Sequence, residues 1–325
     1  MEEVVVIADS HGKNYEFIQK VYSYLRDKEE RNFPINLVGL EKTIFKDGEF
    51  KIKILENVRR KKCVFIHDSN KNPCEWFTEL LFTLEAMSFS SPAEINVVLP
   101  YTKYARQDRK DESRVSVNAK VLADTVSLYA KRVMTVDLHN PAIQSFFSIP
   151  FDNLYSFPVL INHITEKHED ILENLVIVSP DLGGGKRAES FVKRLLKKGV
   201  KSEIAFGHKT RVGEDNVEKV IIVGDVKGKN CLIIDDIYDT GNTLVKAYRA
   251  LIDNGARKVY SYATHGLFTD GIEKFNDLDE VMVSDTLYNH FSSKNIEVVS
   301  LVNLFGEAVY RTVVGESLSG LYDDK

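Results

Sequence analysis

Cysteine, long apolar runs and net charge are all scarce in this chain of 325 residues. The three scattered cysteines, Cys63, Cys74 and Cys231, form neither an even disulfide set nor the paired spacing of a zinc site. No apolar run reaches the roughly 20 residues of a transmembrane helix. The acidic start "MEEVVVIADS" has an apolar stretch too short for a signal peptide. We therefore expect a cytoplasmic protein without membrane contact, with Cys63 and Cys231 as reduced core residues.

The net charge of −5 argues against nucleic acid as the main partner, because binding to its backbone needs a basic surface. An apolar fraction of 43% is enough for a well-packed core. The length suggests two domains of ordinary size. No low-complexity linker separates them, but two prolines flank the polar stretch "PFDNLYSFP" at 150–158. We predict domains at 1–152 and 153–325, with the last helix as a candidate to pack back on the first domain.

Short β-rich runs alternate with helical patterns along most of the chain. Runs such as "LVIVSP" (175–180) and "CLIID" (231–235) are continuously apolar, which is typical of parallel strands buried on both faces. Residues 186–197 and 242–254 carry apolar side chains at helical spacing, and Gly255 follows as a C-terminal cap. This alternation predicts an open α/β fold. Each half contains an apolar strand that ends in acid, which suggests a duplication.

The stretch "CLIIDDIYDTGNTL" (231–244) places two adjacent carboxylates, Asp235 and Asp236, at the predicted end of a buried strand. Ligands of open α/β sheets bind at such strand ends. The loop 239–243 then opens a helix, whose unpaired N–H groups attract phosphate. Carboxylates beside a phosphate site can bind sugar hydroxyls or a magnesium ion. The residues therefore predict a site for a ribose phosphate.

The string "DDIYDTGNT" resembles the ribose-5-phosphate loop shared by phosphoribosyltransferases and ribose-phosphate pyrophosphokinases, the PRPP synthases. This family usually has Gly where this chain has Asn242, and Asn tolerates the left-handed backbone better than most residues. The resemblance implies that Asp235 and Asp236 hold the ribose hydroxyls. It also implies a 5-phosphate cradle made of Asp239, Thr240, Gly241, Asn242 and Thr243. The fold it implies is α/β, with two phosphoribosyltransferase-like (Rossmann-like) domains, each a mainly parallel sheet flanked by helices.

The segment "YTKYARQDRKDESRVSVNAK" (101–120) is a basic loop between a strand and a helix, able to hold a polyphosphate or simply to be solvated. It is similar to the ATP-binding segment of PRPP synthases, which transferases lack. The resemblance implies ATP contacts for Arg106, Gln107 and Asp111. "FKDGEFKIKILENVR" (45–59) resembles the adenine-binding hairpin of the family.

This hairpin would stack Phe45 on the base and accept its hydrogen bonds at Asp47 and Glu49. In the family it reaches the active site of a neighbouring subunit. The resemblance therefore implies a homo-oligomer, between a dimer and a hexamer, that shares the hairpin between subunits.

Two further segments complete the resemblance. "TVDLHNPAIQSFF" (from 135) and "VSPDLGGGKR" (from 178) match family segments in which His139 and Asp181 would bind the Mg2+ of MgATP. "HKTRVGEDN" (from 208) is a polar stretch between two predicted strands, which on its own indicates a surface hairpin. In the family, a Lys-x-Arg pair on a mobile loop here closes over the transferring phosphates, which implies a catalytic role for Lys209 and Arg211.

Together these segments imply a ribose-phosphate diphosphokinase, which transfers the diphosphoryl group of ATP to the 1-hydroxyl of ribose 5-phosphate and supplies PRPP for nucleotide and NAD biosynthesis. Two alternatives stay open: a non-catalytic regulatory homologue and, less favoured, a phosphoribosyltransferase. The first ~35 residues depart from the family pattern. Elsewhere, the histidines of "HITEKH" (163–168) are five apart and would not share a helix face, which argues against a metal site there.

Overall fold

The computed structural model describes residues 2–181, 183–212, 217–288, 291 and 293–322, and at 209–212 and 217–219 it describes the backbone alone. The chain divides into two units. The first comprises Met1–Tyr155, Thr286–Tyr288 and Leu301–Lys325, and the second Ser156–Asp285 and Asn289–Ser300. Among the described residues, no helix combines the length and apolarity needed to span a membrane.

A seven-stranded sheet forms the centre of the first unit, in the order β3-β2-β1-β4-β5-β6-β7. The strands are β1 (Val4–Ala8), β2 (Ile35–Ile44), β3 (Phe50–Ile54), β4 (Lys62–Ile66), β5 (Glu94–Leu99), β6 (Arg132–Val136) and β7 (Phe151–Leu154). β2 and β3 form an antiparallel hairpin, and the other neighbouring pairs are parallel.

The second unit repeats this order, as β10-β9-β8-β11-β12-β13-β14. Its strands are β8 (Leu175–Ser179), β9 (Glu203–Val212), β10 (Val217–Val223), β11 (Asn230–Tyr238), β12 (Lys258–Gly266), β13 (Glu280–Ser284) and β14 (Ile296–Val299). The hairpin β9–β10 is again antiparallel, and the rest of the sheet is parallel. Two mainly parallel sheets with one strand order confirm the predicted fold class, and they give the suggested duplication a topological basis.

Helices cover the sheets where the sequence has an apolar face. They are α1 (Tyr15–Asp27), α2 (Pro73–Phe89), α3 (Asn118–Ser127), α4 (Phe157–Lys167), α5 (Gly185–Lys197), α6 (Asn242–Asp253) and α7 (Val302–Val314). The predicted helices at 186–197 and 242–254 are confirmed as α5 and α6. Gly255 has a left-handed φ of 82° just beyond α6, as a C-terminal cap requires.

The continuously apolar strands are buried, since helices pack on both faces of a parallel sheet. All five residues of β1 are fully buried. Cys63 and Cys231 lie in the cores of their units as predicted, and burial raises the pKa of each thiol to about 12. Neither thiol is therefore reactive at neutral pH.

The first unit is completed by α7, which packs against α1. The rings of Phe17 and Phe305 meet edge to face at 5.6 Å. Gly306 lets the helices approach, because a Cβ there would lie 2.4 Å from the Tyr24 ring. Lys28 Nζ lies 2.9 Å from a carboxylate oxygen of Glu307. The N-terminal segment that departs from the family pattern thus forms the contact surface for the last helix.

Candidate active site

The second unit carries the aspartate pair at the point where its strand order reverses. β8 and β11 are neighbours, but the chain continues outward from them in opposite directions. Open α/β sheets bind ligands in the crevice at such a switch point. The predicted end of β11 at the carboxylates is wrong, because the strand continues to Tyr238. Asp235 pairs with Ala263 of β12. The pair is therefore held on a hydrogen-bonded strand rather than on a loop.

Arg187 offsets part of the electrostatic repulsion between the two carboxylates. One of its terminal nitrogens lies 3.1 Å from Asp235 Oδ1 and 3.0 Å from Asp236 Oδ1. Asp235 Oδ1 also accepts a hydrogen bond from the Asp236 backbone N–H at 2.9 Å. Burial, and then the charge of Asp236, raise the pKa of Asp235 to about 8, although Arg187 acts in the opposite direction. At neutral pH the two carboxyl groups therefore hold one proton between them. Hydroxyl donors or a bound cation would stabilise the ionised form and favour release of this proton.

Sequence reasoning missed Arg187, although it lies within the quoted "DLGGGKR" segment. Its position in the first turn of α5, just after the carboxyl end of β8, was the available signal, since β8 borders β11. In the same turn, Asp181 Oδ1 accepts a hydrogen bond from the Gly184 N–H at 3.0 Å. Glycine is required there, because a Cβ on Gly184 would lie 2.4 Å from Ser179 Oγ.

The predicted phosphate cradle lies directly after β11, and α6 begins at its end. Gly241 has a φ of +77°, and a Cβ there would lie 2.1 Å from the Phe275 ring, so both backbone and space require glycine. Asn242 is the first residue of α6 and has no positive φ, so the family's Gly is not needed here for a left-handed backbone. Its side chain instead accepts a hydrogen bond from Lys274 Nζ at 3.1 Å.

Two residues that sequence reasoning missed hold this loop from outside. Thr269 Oγ1 donates to Asp239 Oδ1 at 2.8 Å, and the Thr269 N–H donates to the Asp239 carbonyl at 3.0 Å. Lys274 brings a positive charge beside the first residue of α6. Both follow β12, about 30 positions away in sequence, so no local pattern connects them with the loop.

In the first unit, the basic loop joins β5 to α3, as predicted. Gln107 Nε2 donates to Asp111 Oδ1 at 3.1 Å, and Arg106 is exposed. Asn140 Nδ2 donates to Asp108 at 2.5 Å and ties the loop to the segment after β6. His139 lies in that segment and is exposed. β5 and β6 are adjacent and parallel, so the predicted ATP contacts and His139 share one edge of this sheet.

The predicted adenine-binding residues lie at the tip of the β2–β3 hairpin, where Phe45 is 48% exposed. The turn is closed by the Phe45 N–H, which donates to the Glu49 carbonyl at 2.7 Å, and by Asp47 Oδ1, which accepts from the Glu49 N–H at 3.1 Å. β2 is separated from β5 by β1 and β4, which corresponds to about 14 Å between the two strands. Within the sheet, the hairpin is therefore not adjacent to the strand that leads into the basic loop.

Lys209 and Arg211 lie on β9, which extends to Val212 and pairs with β10. The hairpin that the residues alone indicate is therefore confirmed, whereas the loop implied by the resemblance is wrong at these two positions. Their backbones pair with Val220 and Glu218 of β10. Their side chains lie outside the described part of the chain, as do residues 213–216. Both positions therefore belong to a two-stranded arm.

Two family profiles match the chain: the N-terminal domain of ribose phosphate pyrophosphokinase over residues 7–128, and a phosphoribosyl synthetase-associated domain over residues 210–323. The ribose-phosphate pyrophosphokinase of Chlorobaculum tepidum is 43% identical over 286 residues, which cover 86% of this chain and 86% of that protein. The one from Aquifex aeolicus is 40% identical, over 86% of this chain and 89% of that protein.

Among solved structures, the crystal structure of phosphoribosylpyrophosphate synthetase from Mycobacterium smegmatis matches with a TM-score of 0.84 at 30% identity. The match covers 97% of this chain and all of the other chain. Similarity of this extent reaches well beyond the short segments on which the resemblance was first noted, and it confirms that resemblance. The chain belongs to the ribose-phosphate pyrophosphokinase family.

Proposed function

We propose that this protein is a ribose-phosphate diphosphokinase that converts ATP and ribose 5-phosphate into PRPP and AMP. The observation that carries the proposal is the carboxylate pair on β11 followed at once by an anion-binding loop, in a chain similar to PRPP synthases over most of its length. The reaction transfers the β,γ-diphosphoryl group to the ribose 1-hydroxyl. The proposed compartment is the cytoplasm.

In the second unit, ribose 5-phosphate binds along β11 and the start of α6. Asp235 and Asp236 accept hydrogen bonds from the ribose hydroxyls, and residues 239–243 hold the 5-phosphate. Gly241 supports this role, because its left-handed backbone turns the chain into α6, whose first N–H groups are unpaired within the helix. Lys274, beside the first residue of α6, adds a positive charge for the phosphate.

In the first unit, Arg106, Gln107 and Asp111 bind ATP. Phe45, Asp47 and Glu49 bind the adenine of an ATP molecule held by a neighbouring subunit. The exposure of Phe45 supports this exchange, as do the two strands that lie between the hairpin and β5, the strand that leads into the basic loop. The division of labour proposed for the chain is therefore an ATP-binding domain at 1–152 and a ribose-phosphate domain at 153–325.

Magnesium enters as MgATP, and His139 and Asp181 are the proposed protein contacts. An exposed imidazole and a carboxylate fit an ion that takes most of its oxygen ligands from phosphate and water. The ion would neutralise the charge of the polyphosphate. The protein residues orient the substrates, since positioning and electrostatics supply most of the rate in phosphoryl transfer.

Lys209 and Arg211 are the proposed catalytic residues, because a two-stranded arm can bring cations to the transferring phosphates when the site closes. Lys209→Ala should reduce kcat by about 100-fold and change the KM for ATP by less than about 2-fold. Steady-state kinetics with ATP as the varied substrate measure both constants. A raised KM with normal kcat would show that Lys209 binds ground-state ATP instead.

An assay with purified protein, MgATP and ribose 5-phosphate tests the function directly. We expect AMP and PRPP in equal amounts. Asp236→Asn should weaken ribose 5-phosphate binding by about 10- to 100-fold, because it removes a charged acceptor, while ATP binding stays unchanged. The control Asp253→Asn changes an exposed aspartate at the end of α6 and should have no effect.

The alternatives give different results in the same assay. Binding of both substrates without AMP formation would identify a non-catalytic homologue. Consumption of PRPP on addition of a nucleobase would identify a transferase.

A further inference from the structure

The second unit holds a cluster of two histidines and a glutamate outside the candidate active site. His163 Nε2 lies 3.0 Å from Glu297 Oε1, and His168 Nε2 lies 2.7 Å from Glu297 Oε2. One potential ligand atom from each residue lies within 4.8 Å of the others, and this is the one such group of three among the described residues. His163 Nε2 is buried yet makes no hydrogen bond of acceptable geometry.

The cluster exists because α4 ends between the two histidines. Residues five apart on a continuous helix point to different faces, which is why the sequence argued against a metal site here. α4 stops at Lys167, and His168 leaves the helical path with φ −130° and ψ 47°. The two rings then lie 5.7 Å apart, both beside Glu297 of the edge strand β14. The premise that this spacing keeps the two rings apart is therefore wrong, because the helix ends between them.

We propose that His163, His168 and Glu297 bind a divalent transition-metal ion of the zinc class, which fastens the end of α4 to β14. Two imidazole nitrogens and one carboxylate suit Zn2+, Co2+ or Ni2+, whereas Mg2+ and Ca2+ prefer sites made of oxygen. Ligand atoms around a tetrahedral zinc ion are about 3.3 Å apart. One ligand atom from each of the three residues lies within 4.8 Å of the others, so side-chain rotations would bring them to that spacing. Water would complete the coordination.

The surroundings of the cluster favour a cation that is held firmly. The three side chains are between 11% and 27% exposed. The Tyr260 ring packs edge-on against His168 at 6.3 Å and limits its movement. Glu280 begins the neighbouring strand β13 and adds a nearby carboxylate. Lys167, the cation that contacts Glu297 at 3.4 Å, is 60% exposed and can swing into water.

This site differs in position and chemistry from the proposed magnesium contacts. Glu297 is the second residue of β14, so the cluster lies towards the amino ends of the parallel strands. The aspartate pair and the phosphate cradle lie at the carboxyl end of β11. The metal would therefore stabilise the second unit and would not take part in diphosphoryl transfer.

In the test, the full chain is freed of metal with a chelator and then titrated with Co2+. Excess Mg2+ is present to occupy the proposed magnesium site. We expect one equivalent of Co2+ with the visible absorption of a nitrogen-ligated tetrahedral ion, displaced by Zn2+. His163→Gln and His168→Gln should each weaken binding by more than about 10-fold, because loss of a direct ligand exceeds the effect of an outer-shell change. Lys167→Gln, which changes a contact of the same carboxylate but no ligand, is the matched control and should bind Co2+ normally.

Thermal unfolding supplies an independent reading, since a ligand that binds the folded state raises Tm. Zn2+ should raise the Tm of the natural protein and of Lys167→Gln, but not that of either histidine variant. If a histidine variant fails to fold, Glu297→Gln, which keeps the size of the side chain, takes its place. The proposal is overturned if the natural protein binds no equivalent of Co2+, if the ligand variants bind it unchanged, or if Lys167→Gln weakens binding as much as they do.

Discussion

Asp235 offers a test of the electrostatics of the candidate active site, because its carboxyl group holds a proton in the folded state. Its pKa is raised from 3.8 to about 8, first by burial and then by the charge of Asp236. Folding therefore takes up a proton between these two pH values. The stability that this proton provides is fully present below pH 3.8 and is lost as the pH rises through about 8. Asp235→Asn replaces the neutral carboxyl group by an amide of the same shape that cannot ionise.

The magnitude follows from the two pKa values. pH 7 lies about 3 units above the pKa of 3.8 of the unfolded aspartate, which is therefore ionised, while the folded one is mostly protonated. At about 1.4 kcal/mol per unit, this difference favours unfolding by about 4 kcal/mol. Asn abolishes this term. Because the side chain of Asp235 is 21% exposed, and an amide reproduces its hydrogen bonds imperfectly, we expect a net gain of about 2 kcal/mol at pH 7. Near pH 4 the gain should vanish.

The assay is urea unfolding at about pH 4, 7 and 8. It is monitored by hydrogen exchange of the peptide 230–244, so that the unfolding of the second unit is observed by itself. Asp253→Asn controls for the loss of an exposed carboxylate. The variant should bind ribose 5-phosphate poorly in spite of its greater stability, as expected of a residue placed for function. A stability difference that does not grow between pH 4 and pH 8 would refute the reasoning, because Asp235 would then be ionised in the folded protein.

Two further predictions concern the loop and the hairpin. A left-handed alanine costs about 1–2 kcal/mol of stability, and Gly241→Ala should destabilise the second unit by more than this, because its Cβ also meets Phe275. Gly228 has φ +69° and open space around it, so Gly228→Ala should lose only the backbone contribution. Thermal unfolding compares the two, and equal losses would contradict the contact with Phe275. Phe45→Ala should raise the KM for ATP by about 10-fold, the value of one stacked base, with stability unchanged. Phe89→Ala, at another exposed ring, is the control in steady-state assays, and equal effects of both would argue against stacking.

The sequence predicts strands and helices well wherever the burial of one or both faces requires a regular pattern of apolar residues. Strands buried on both faces must be continuously apolar, and α5 and α6 must carry one apolar face, so all of them are visible without a structure. β7 was missed inside the "PFDNLYSFP" stretch. It is a four-residue edge strand, and its polar residues make contacts: Asp152 pairs with Arg132 at 2.5 Å, and Asn153 accepts from the Leu138 N–H at 3.0 Å. With four residues, two of them polar, its apolar pattern is too short to indicate a strand.

The candidate site was predictable where its residues are contiguous in the chain. The aspartates and the cradle lie in one segment, whereas Arg187, Thr269 and Lys274 come from separate elements that only the sheet order brings together. The extension of β9 past Gly207 was missed because the sequence there is polar and has no apolar run to indicate a strand. The predicted domain boundary, the individual ATP contacts and the oligomer stay predictions.

The two units share one strand order but differ at the switch point of the sheet. In the first unit the switch point lies between β1 and β4, and the buried carboxylate of Asp68 occupies it: one oxygen accepts from the Lys13 N–H and the other from the Asn70 N–H, each at 2.9 Å. Backbone donors that could bind an external anion are thus satisfied by the chain itself. The hairpin β2–β3 holds the same place in its sheet as β9–β10, so its tip and the Lys209–Arg211 arm are topological equivalents. The two units thus share a hairpin and a crevice, and the buried carboxylate of Asp68 distinguishes the crevice of the first unit from that of the second.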